Sequence, residues 1–164
     1  MGCDVTVRRV GPDELDELVA WRMEVLRCVF ELPEDADVSA LREENLRYYR
    51  EELPHGGHVA AFAELGGERV GCAALCLQRE MPSPDNPDGR CAYLMNVYVR
   101  PAHRGRGVAR ALVSRLVSWA RERGIPKVYL ETTPAARPLY ESLGFRDMPD
   151  YMILADSRTP GGAR

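Results

Sequence analysis

The residues best suited to chemistry stand in one run, Val97-Tyr98-Val99-Arg100-Pro101-Ala102-His103-Arg104-Gly105-Arg106-Gly107-Val108-Ala109. Apolar residues that end a strand give way to a basic loop, and the loop opens a helix. Gly105 and Gly107 free the backbone for close approach, and the start of a helix presents N–H groups that no residue of the helix can satisfy. Arg104, Arg106 and Arg110 add positive charge beside those groups. The chemistry this pattern suits is anion binding, and the expected ligand is the pyrophosphate of a nucleotide-like cofactor. Two other phosphate motifs do not fit. There is no G-x-G-x-x-G after a first strand, and no Gly-Lys-Ser/Thr follows the glycines.

Other reactive side chains form no recognisable set. His55 and His58 flank Gly56-Gly57 without further ligand spacing, so no metal site is expected. The five cysteines, Cys3, Cys28, Cys72, Cys76 and Cys91, are odd in number and include no C-x-x-C pair. Most lie in apolar segments, which fits reduced thiols and a cytoplasmic protein. No Cys–His or Ser–His–Asp arrangement follows from spacing.

The elements that must position the run can be read from periodicity and breakers. Val5 to Val10 forms a short strand. Pro12 opens a helix whose apolar positions run from Leu15 to about Phe30. Ser39 is placed to cap a second helix, which ends at Pro54 and Gly56-Gly57. His58 to Glu64 and Arg69 to Gln78 form a hairpin around Gly66-Gly67. Pro82, Pro84 and Pro87 stiffen the loop at 80–90, and Cys91 to Val99 is apolar on both parities, as a strand covered on both faces should be. A helix with Val108, Leu112, Val113, Leu116, Val117 and Ala120 on one stripe follows, stopped by Gly124 and Pro126. Lys127 to Thr132 is a strand. Pro138 must lie in the first turn of the next helix, which therefore starts near residues 135–137 and ends at Gly144. Tyr151 to Leu154 reads as a last strand, and 156–164 as a disordered tail. The order is β-α-α-β-β-β-α-β-α-β, an α/β layer of sheet with helices on both faces, in one domain over 1–155.

Composition sets the class. With 164 residues, 45% hydrophobic and 29% charged, the chain can bury a single core. No apolar run approaches the roughly 20 residues that span a bilayer, so no membrane partner is expected. One lysine stands against 21 arginines, a bias that suits a bacterial, high-GC source. The net charge of −3 is uneven: residues 13–52 carry −8, and residues 100–123 carry +6. A local basic segment on an acidic chain suits a localised anionic ligand, and no aromatic interleaving marks it as a nucleic-acid platform.

In context the run is more specific. Arg104, Gly107 and Ala109 match the Gln/Arg-x-x-Gly-x-Gly/Ala pattern, and the stretch resembles the acetyl-CoA loop of the GNAT superfamily of acetyl-CoA-dependent N-acetyltransferases. Downstream, Leu139-Tyr140-Glu141-Ser142-Leu143-Gly144-Phe145 is similar to that family's late helix ending in Gly-Phe. The resemblance covers Glu68 to Leu154. It implies a GNAT-type mixed, mostly antiparallel sheet whose fourth strand splays from the fifth. It also implies that the pantetheine arm of acetyl-CoA pairs with the edge at Asn96, Val97, Tyr98 and Val99. The pyrophosphate would rest on Arg104, Gly105, Arg106, Gly107, Val108, Ala109 and Arg110, and an N–H near Val97 would polarise the thioester carbonyl.

The resemblance further implies transfer of an acetyl group directly to an amine of a small molecule or peptide, with Tyr140 as general acid for the leaving thiolate. Glu131, near the end of the fifth strand, is the candidate base through a water. Asn96, the polar side chain in an otherwise apolar strand, either orients the acceptor or is a satisfied core amide. Another acyl-CoA as donor, or a non-catalytic CoA-binding module, are the rival readings, and a homodimer is compatible with all of them. The chain departs from the family form in two places. Residues 133–138 contain no Asn, and only a short segment follows Phe145. The acidic excess of residues 13–52 faintly favours a cationic acceptor, while solvated helix faces explain the same acids.

Overall fold

The structure is a computed structural model, and it describes residues 5–149, 151 and 152. They fall into two compact units, one within residues 1–130 and one within 131–164. In the first unit the chain forms β1 (Val5–Arg9), α1 (Leu15–Val29), α2 (Ser39–His55), β2 (His58–Leu65), β3 (Glu68–Arg79), β4 (Arg90–Val99), α3 (Val108–Glu122) and β5 (Lys127–Leu130). The second unit contains α4 (Arg137–Ser142). No helix among the described residues is long and apolar enough to cross a membrane.

The sheet runs β1-β2-β3-β4-β5. The first four strands pair antiparallel and β5 lies parallel to β4, the mixed and mostly antiparallel sheet expected. Gly66 and Gly67 close the β2–β3 hairpin with φ of 60° and 85°, values that a side chain would resist. Strand alternation then sorts the core. Ala60, Phe62, Cys72, Ala74 and Tyr98 meet Leu18, Val19, Trp21 and Val25 of α1 and Leu46 and Tyr49 of α2 on one face. α3 covers the other face with Val108, Leu112, Val113, Leu116 and Ala120, all buried. Gly71 lets it come close: a Cβ there would lie 2.8 Å from the Tyr98 carbonyl oxygen and within 3.3 Å of Val108 and Leu112.

Some local expectations change. Ser39 is the first helical residue rather than the cap of α2; Val38 is the N-cap, and the Asp37 carboxylate accepts the Ser39 N–H at 2.9 Å. The helix runs one residue past Pro54, and its C-terminal stop is Gly56 at φ 72°. Pro138 lies in the first turn of α4, as its missing N–H requires. Tyr151 and Met152 belong to no strand, and residues 153 and 154 of the expected last strand, with the expected tail at 156–164, lie outside the described residues.

Ion pairs tie α1 to the sheet. The Glu14 carboxylate accepts from Arg8 at 2.7 and 2.8 Å, from Arg69 at 2.7 Å and from the Gly11 N–H at 2.8 Å. Arg8 is the main cause that holds this carboxyl down to about 2. Arg69 also pairs with Glu17, and Arg100 grips Glu24 with two bonds of 3.0 and 2.9 Å while lying 4.2 Å from the centre of the Trp21 ring.

Candidate active site

Two departures of β4 from its neighbours build the site. On the β5 side, parallel pairing covers Cys91 to Leu94, where Leu94 faces Leu130, and it stops there. Among the described residues, Met95 to Val99 therefore continue without a strand neighbour on that edge, while the other edge still pairs with β3 as far as Val99 and Gly71. On the β3 side, the register shifts between Cys72 and Ala74. Tyr98 faces Cys72 and Met95 faces Ala74, so Asn96 and Val97 oppose one residue and have no register partner. This is a β-bulge, and Asn96 takes φ 57°, the left-handed region that Asn tolerates better than most residues. The bulge re-aims the backbone at Val97 where the strand has just come free of β5.

β4 runs from there directly into the loop. Arg100 donates its N–H to Val70 O at 3.0 Å, a short 3₁₀ turn covers Pro101–His103, and Arg104 is extended. The Arg104 side chain does not simply project into solvent. Its Nε donates to the Val99 carbonyl at 3.0 Å, which fastens the end of the strand to the loop. Gly105 and Gly107 take φ of 72° and 81°, and Gly107 is the N-cap of α3. No acid lies in the first turn of α3 and no side chain caps it, so its first N–H groups meet no carboxylate of the helix itself. A Cβ built on either glycine would meet nothing within 4 Å. Both face open space, consistent with room for a ligand against the backbone.

The structure thus brings Asn96, Val97, Tyr98, Val99 and the residues from Arg104 to Arg110 into one continuous feature of the first unit. Tyr98 and Val99 are buried, Val97 is half-buried, and Arg104, Arg106 and Arg110 are exposed. Tyr140 and Glu131 belong to the second unit. Tyr140 is buried on α4, its ring edge-on to Phe145 at 5.8 Å, and burial raises its phenol above the ordinary value. Glu131 directly follows β5 and is exposed. His103 is half-buried, with Nε2 3.7 Å from a Glu68 carboxylate oxygen.

Asn96 is a satisfied amide. Its Oδ1 accepts from Arg22 Nη1 at 2.8 Å, and its Nδ2 contacts Cys72 Sγ at 3.7 Å. Arg22 is a residue that sequence reading passed over. On the same face, His58 opens β2 and is 3% exposed. Its Nδ1 lies 3.2 Å from the Tyr48 hydroxyl and 3.4 Å from Cys76 Sγ, and Cys76 in turn contacts Met95 Sδ at 3.1 Å. The described cysteines Cys28, Cys72, Cys76 and Cys91 are all free thiols, and no group of three His, Cys, Asp or Glu among the described residues could hold a metal. Two concavities of the first unit lie elsewhere, around Trp119 on the α3 face. The larger, about 260 Å³, is lined by Leu77, Cys91 and Ile125.

His58 makes a testable contribution to pH dependence. Burial, helped by the charge of Arg22, lowers it from 6.5 to about 4, so the folded ring is neutral at pH 7. As acid is added, the unfolded chain takes up this proton first. The stabilisation is therefore complete above about pH 6.5 and is lost as pH falls toward 4. Thermal unfolding followed by circular dichroism should show a midpoint that drops across that window, and His58→Gln should flatten that part of the profile. An unchanged slope in the variant would mean that His58 is not the titrating group.

Comparisons with known proteins agree with this geometry. The acetyltransferase (GNAT) family profile matches residues 17–145. A structure of a predicted acetyltransferase from Clostridium acetobutylicum, solved with acetyl-CoA, superposes with a TM-score of 0.80 at 28% identity, covering 93% of this chain and 96% of that one. Glucosamine 6-phosphate N-acetyltransferase of Trypanosoma brucei brucei is 35% identical over 80 residues, 49% of this chain and 52% of that protein. An uncharacterised N-acetyltransferase of Escherichia coli is 36% identical over 100 residues, 59% of this chain and 56% of its own length. The chain spans about half the length of these two curated relatives. A profile match over most of the chain, on a sheet with this splay and this loop, places it: the chain belongs to the acetyltransferase (GNAT) family.

Proposed function

We propose that the chain transfers an acetyl group from acetyl-CoA to an amine of a small molecule or peptide. The observation that carries this reading is the path of β4, which leaves β5 after Leu94, bulges at Asn96 and Val97, and runs into the acid-free start of α3. The free edge at 96–99 suits the amide groups of a pantetheine arm. The backbone from Arg104 to Arg110 suits a pyrophosphate, since two left-handed glycines and a helix N-terminus without a side-chain cap lie beside three arginines. Acetyl-CoA supplies an activated thioester. The Val97 N–H is the proposed donor to the thioester oxygen, an interaction whose loss typically costs about 10²- to 10³-fold in rate.

Tyr140 is the proposed acid. Its burial keeps the proton on the phenol at neutral pH, ready for the departing thiolate. Glu131 is the proposed base, taking the proton of the acceptor ammonium through a water. Support for amine acceptors comes from the names of the relatives, which are N-acetyltransferases.

The test is release of free CoA thiol from acetyl-CoA across a panel of amines. Turnover is expected to require both the donor and an amine. If acetyl-CoA binds and no amine is turned over, the chain is a CoA-binding module and the transferase reading fails.

A further inference from the structure

Several arginines packed around the acids of the N-terminal segment pair with them, and the half-buried Arg22 does not. Arg8 pairs with Glu14 and Glu64, Arg69 with Glu14 and Glu17, Arg100 with Glu24, and Arg42 with Asp16 and Glu43. Arg22, on α1 between Trp21 and Met23, both buried, has no carboxylate partner among the described residues, although residues 13–52 hold 13 acids. Its partners are two neutral amide oxygens: Asn96 Oδ1 at 2.8 Å and Asn45 Oδ1 at 3.2 Å. A guanidinium carries five N–H donors in a planar fork, so most of that fork is unused.

The groups in its field do not pair with it either. Arg22 is half-buried, and its charge acts on Tyr49, His58, Cys72 and Cys76, groups that burial keeps neutral at pH 7. A charge removed from water is normally paired, because the field of an unpaired one is costly in a low-dielectric setting. The two amides also hold the head in place. Asn45 fixes it from α2, and Asn96 fixes it from the β4 bulge, one residue from Val97. An arginine held in one orientation with free donors is prepared for a bidentate oxyanion.

We propose that Arg22 is the acceptor-specificity residue, and that the acceptor amine carries a carboxylate or phosphate group that this guanidinium binds. The inference rests on the transferase reading, since Val97 is there the residue that faces the reacting carbonyl. It reverses the expectation of a cationic acceptor drawn from the acidic excess. Those acids are bound to Arg8, Arg42, Arg69 and Arg100 or lie on solvated helix faces, whereas the charge beside the bulge is positive.

Matched acceptors test this. α-Amino acids are compared with their amides, and amino-alcohol phosphates with the parent amino alcohols, by CoA release for wild type, Arg22→Gln and Arg22→Lys. In the wild type, one anionic class should exceed its neutral counterpart by about tenfold to a hundredfold in kcat/KM, the size of a lost charge-assisted hydrogen bond. The class that does so identifies the group as carboxylate or phosphate. Arg22→Gln should bring each pair within about twofold of each other with acetyl-CoA affinity unchanged, and Arg22→Lys should keep a reduced preference. Equal use of neutral and anionic acceptors by the wild type, or a preference that survives Arg22→Gln, overturns the proposal. Calorimetric binding of the same compounds to the CoA-loaded protein separates the two readings. Arg22-dependent anion binding without turnover would retain the anion site and sink the transferase reading, whereas the absence of such binding sinks the specificity proposal itself. If Arg22→Gln fails to fold, Arg22→Lys and Asn45→Ala, which keep the charge but loosen its hold, should weaken anion binding while leaving acetyl-CoA binding intact; no change in either would also overturn it.

Discussion

Gly107→Asp should weaken acetyl-CoA binding by at least about a hundredfold while the fold survives. Survival follows from the geometry. A Cβ at Gly107 meets nothing within 4 Å, so the cost is only the left-handed backbone at φ 81°, on the order of 1–2 kcal/mol and less for Asp than for most residues. An acid at a helix start is in itself favourable. The loss of binding follows from the same position. The new carboxylate occupies the positive end of α3, where the proposed pyrophosphate would sit, and like charges brought together in this way cost several kcal/mol. Gly107→Ala supplies the backbone strain without the charge and should lie between the two. Isothermal calorimetry with acetyl-CoA, alongside thermal unfolding, reads both quantities. Normal affinity in a folded Gly107→Asp protein would remove the basis of the proposed donor site. By contrast, Arg106→Ala should cost far less, because Arg106 is exposed and supplies field rather than a fixed contact.

Tyr140→Phe should lower kcat by about 10²- to 10⁴-fold with the acetyl-CoA dissociation constant unchanged. The substitution removes one oxygen and keeps the ring, so the edge-on packing against Phe145 at 5.8 Å persists and stability should change little. The pH dependence carries the assignment. Burial raises the phenol above 10, so the acid stays protonated throughout the neutral range and its loss should depress kcat across that whole range rather than on one limb. Single-turnover measurement of CoA release isolates the chemical step from product release. Full activity of Tyr140→Phe at every pH would exclude the tyrosine as the acid and leave the thiolate to be protonated by water.

How much of this was legible before folding depends on the range of the interaction. The loop was legible because glycine and proline act locally. Gly105 and Gly107 adopt positive φ, the freedom for which glycine was singled out there, Gly66 and Gly67 close the hairpin, and Pro138 sits where its missing N–H does no harm. The stripe from Val108 to Ala120 and the two-sided apolar β4 were legible because burial imposes a period on each segment separately. One capping assignment failed for a short-range reason: Asp37 and Ser39 compete for the same helix start, and the carboxylate at Asp37 takes the Ser39 N–H.

The sequence by itself therefore determined the family, the sheet with its helices, and the glycine loop that joins β4 to α3. Tertiary structure alone decided what surrounds the β4 bulge. The resemblance implied that β4 splays from β5, but that it leaves after Leu94 and slips register at Asn96 depends on pairing with strands far away in the chain, and nothing in the local pattern reports it. The same holds for long side chains. Arg104 was read as part of a diffuse positive field, yet its Nε is fastened to Val99 O. Arg22 was one basic residue in an acidic helix, and only the packing of α1 and α2 on the sheet leaves it facing two amides with no acid paired to it among the described residues. Backbone preference is a property of neighbours along the chain, whereas the pairing of a charge is a property of neighbours in space.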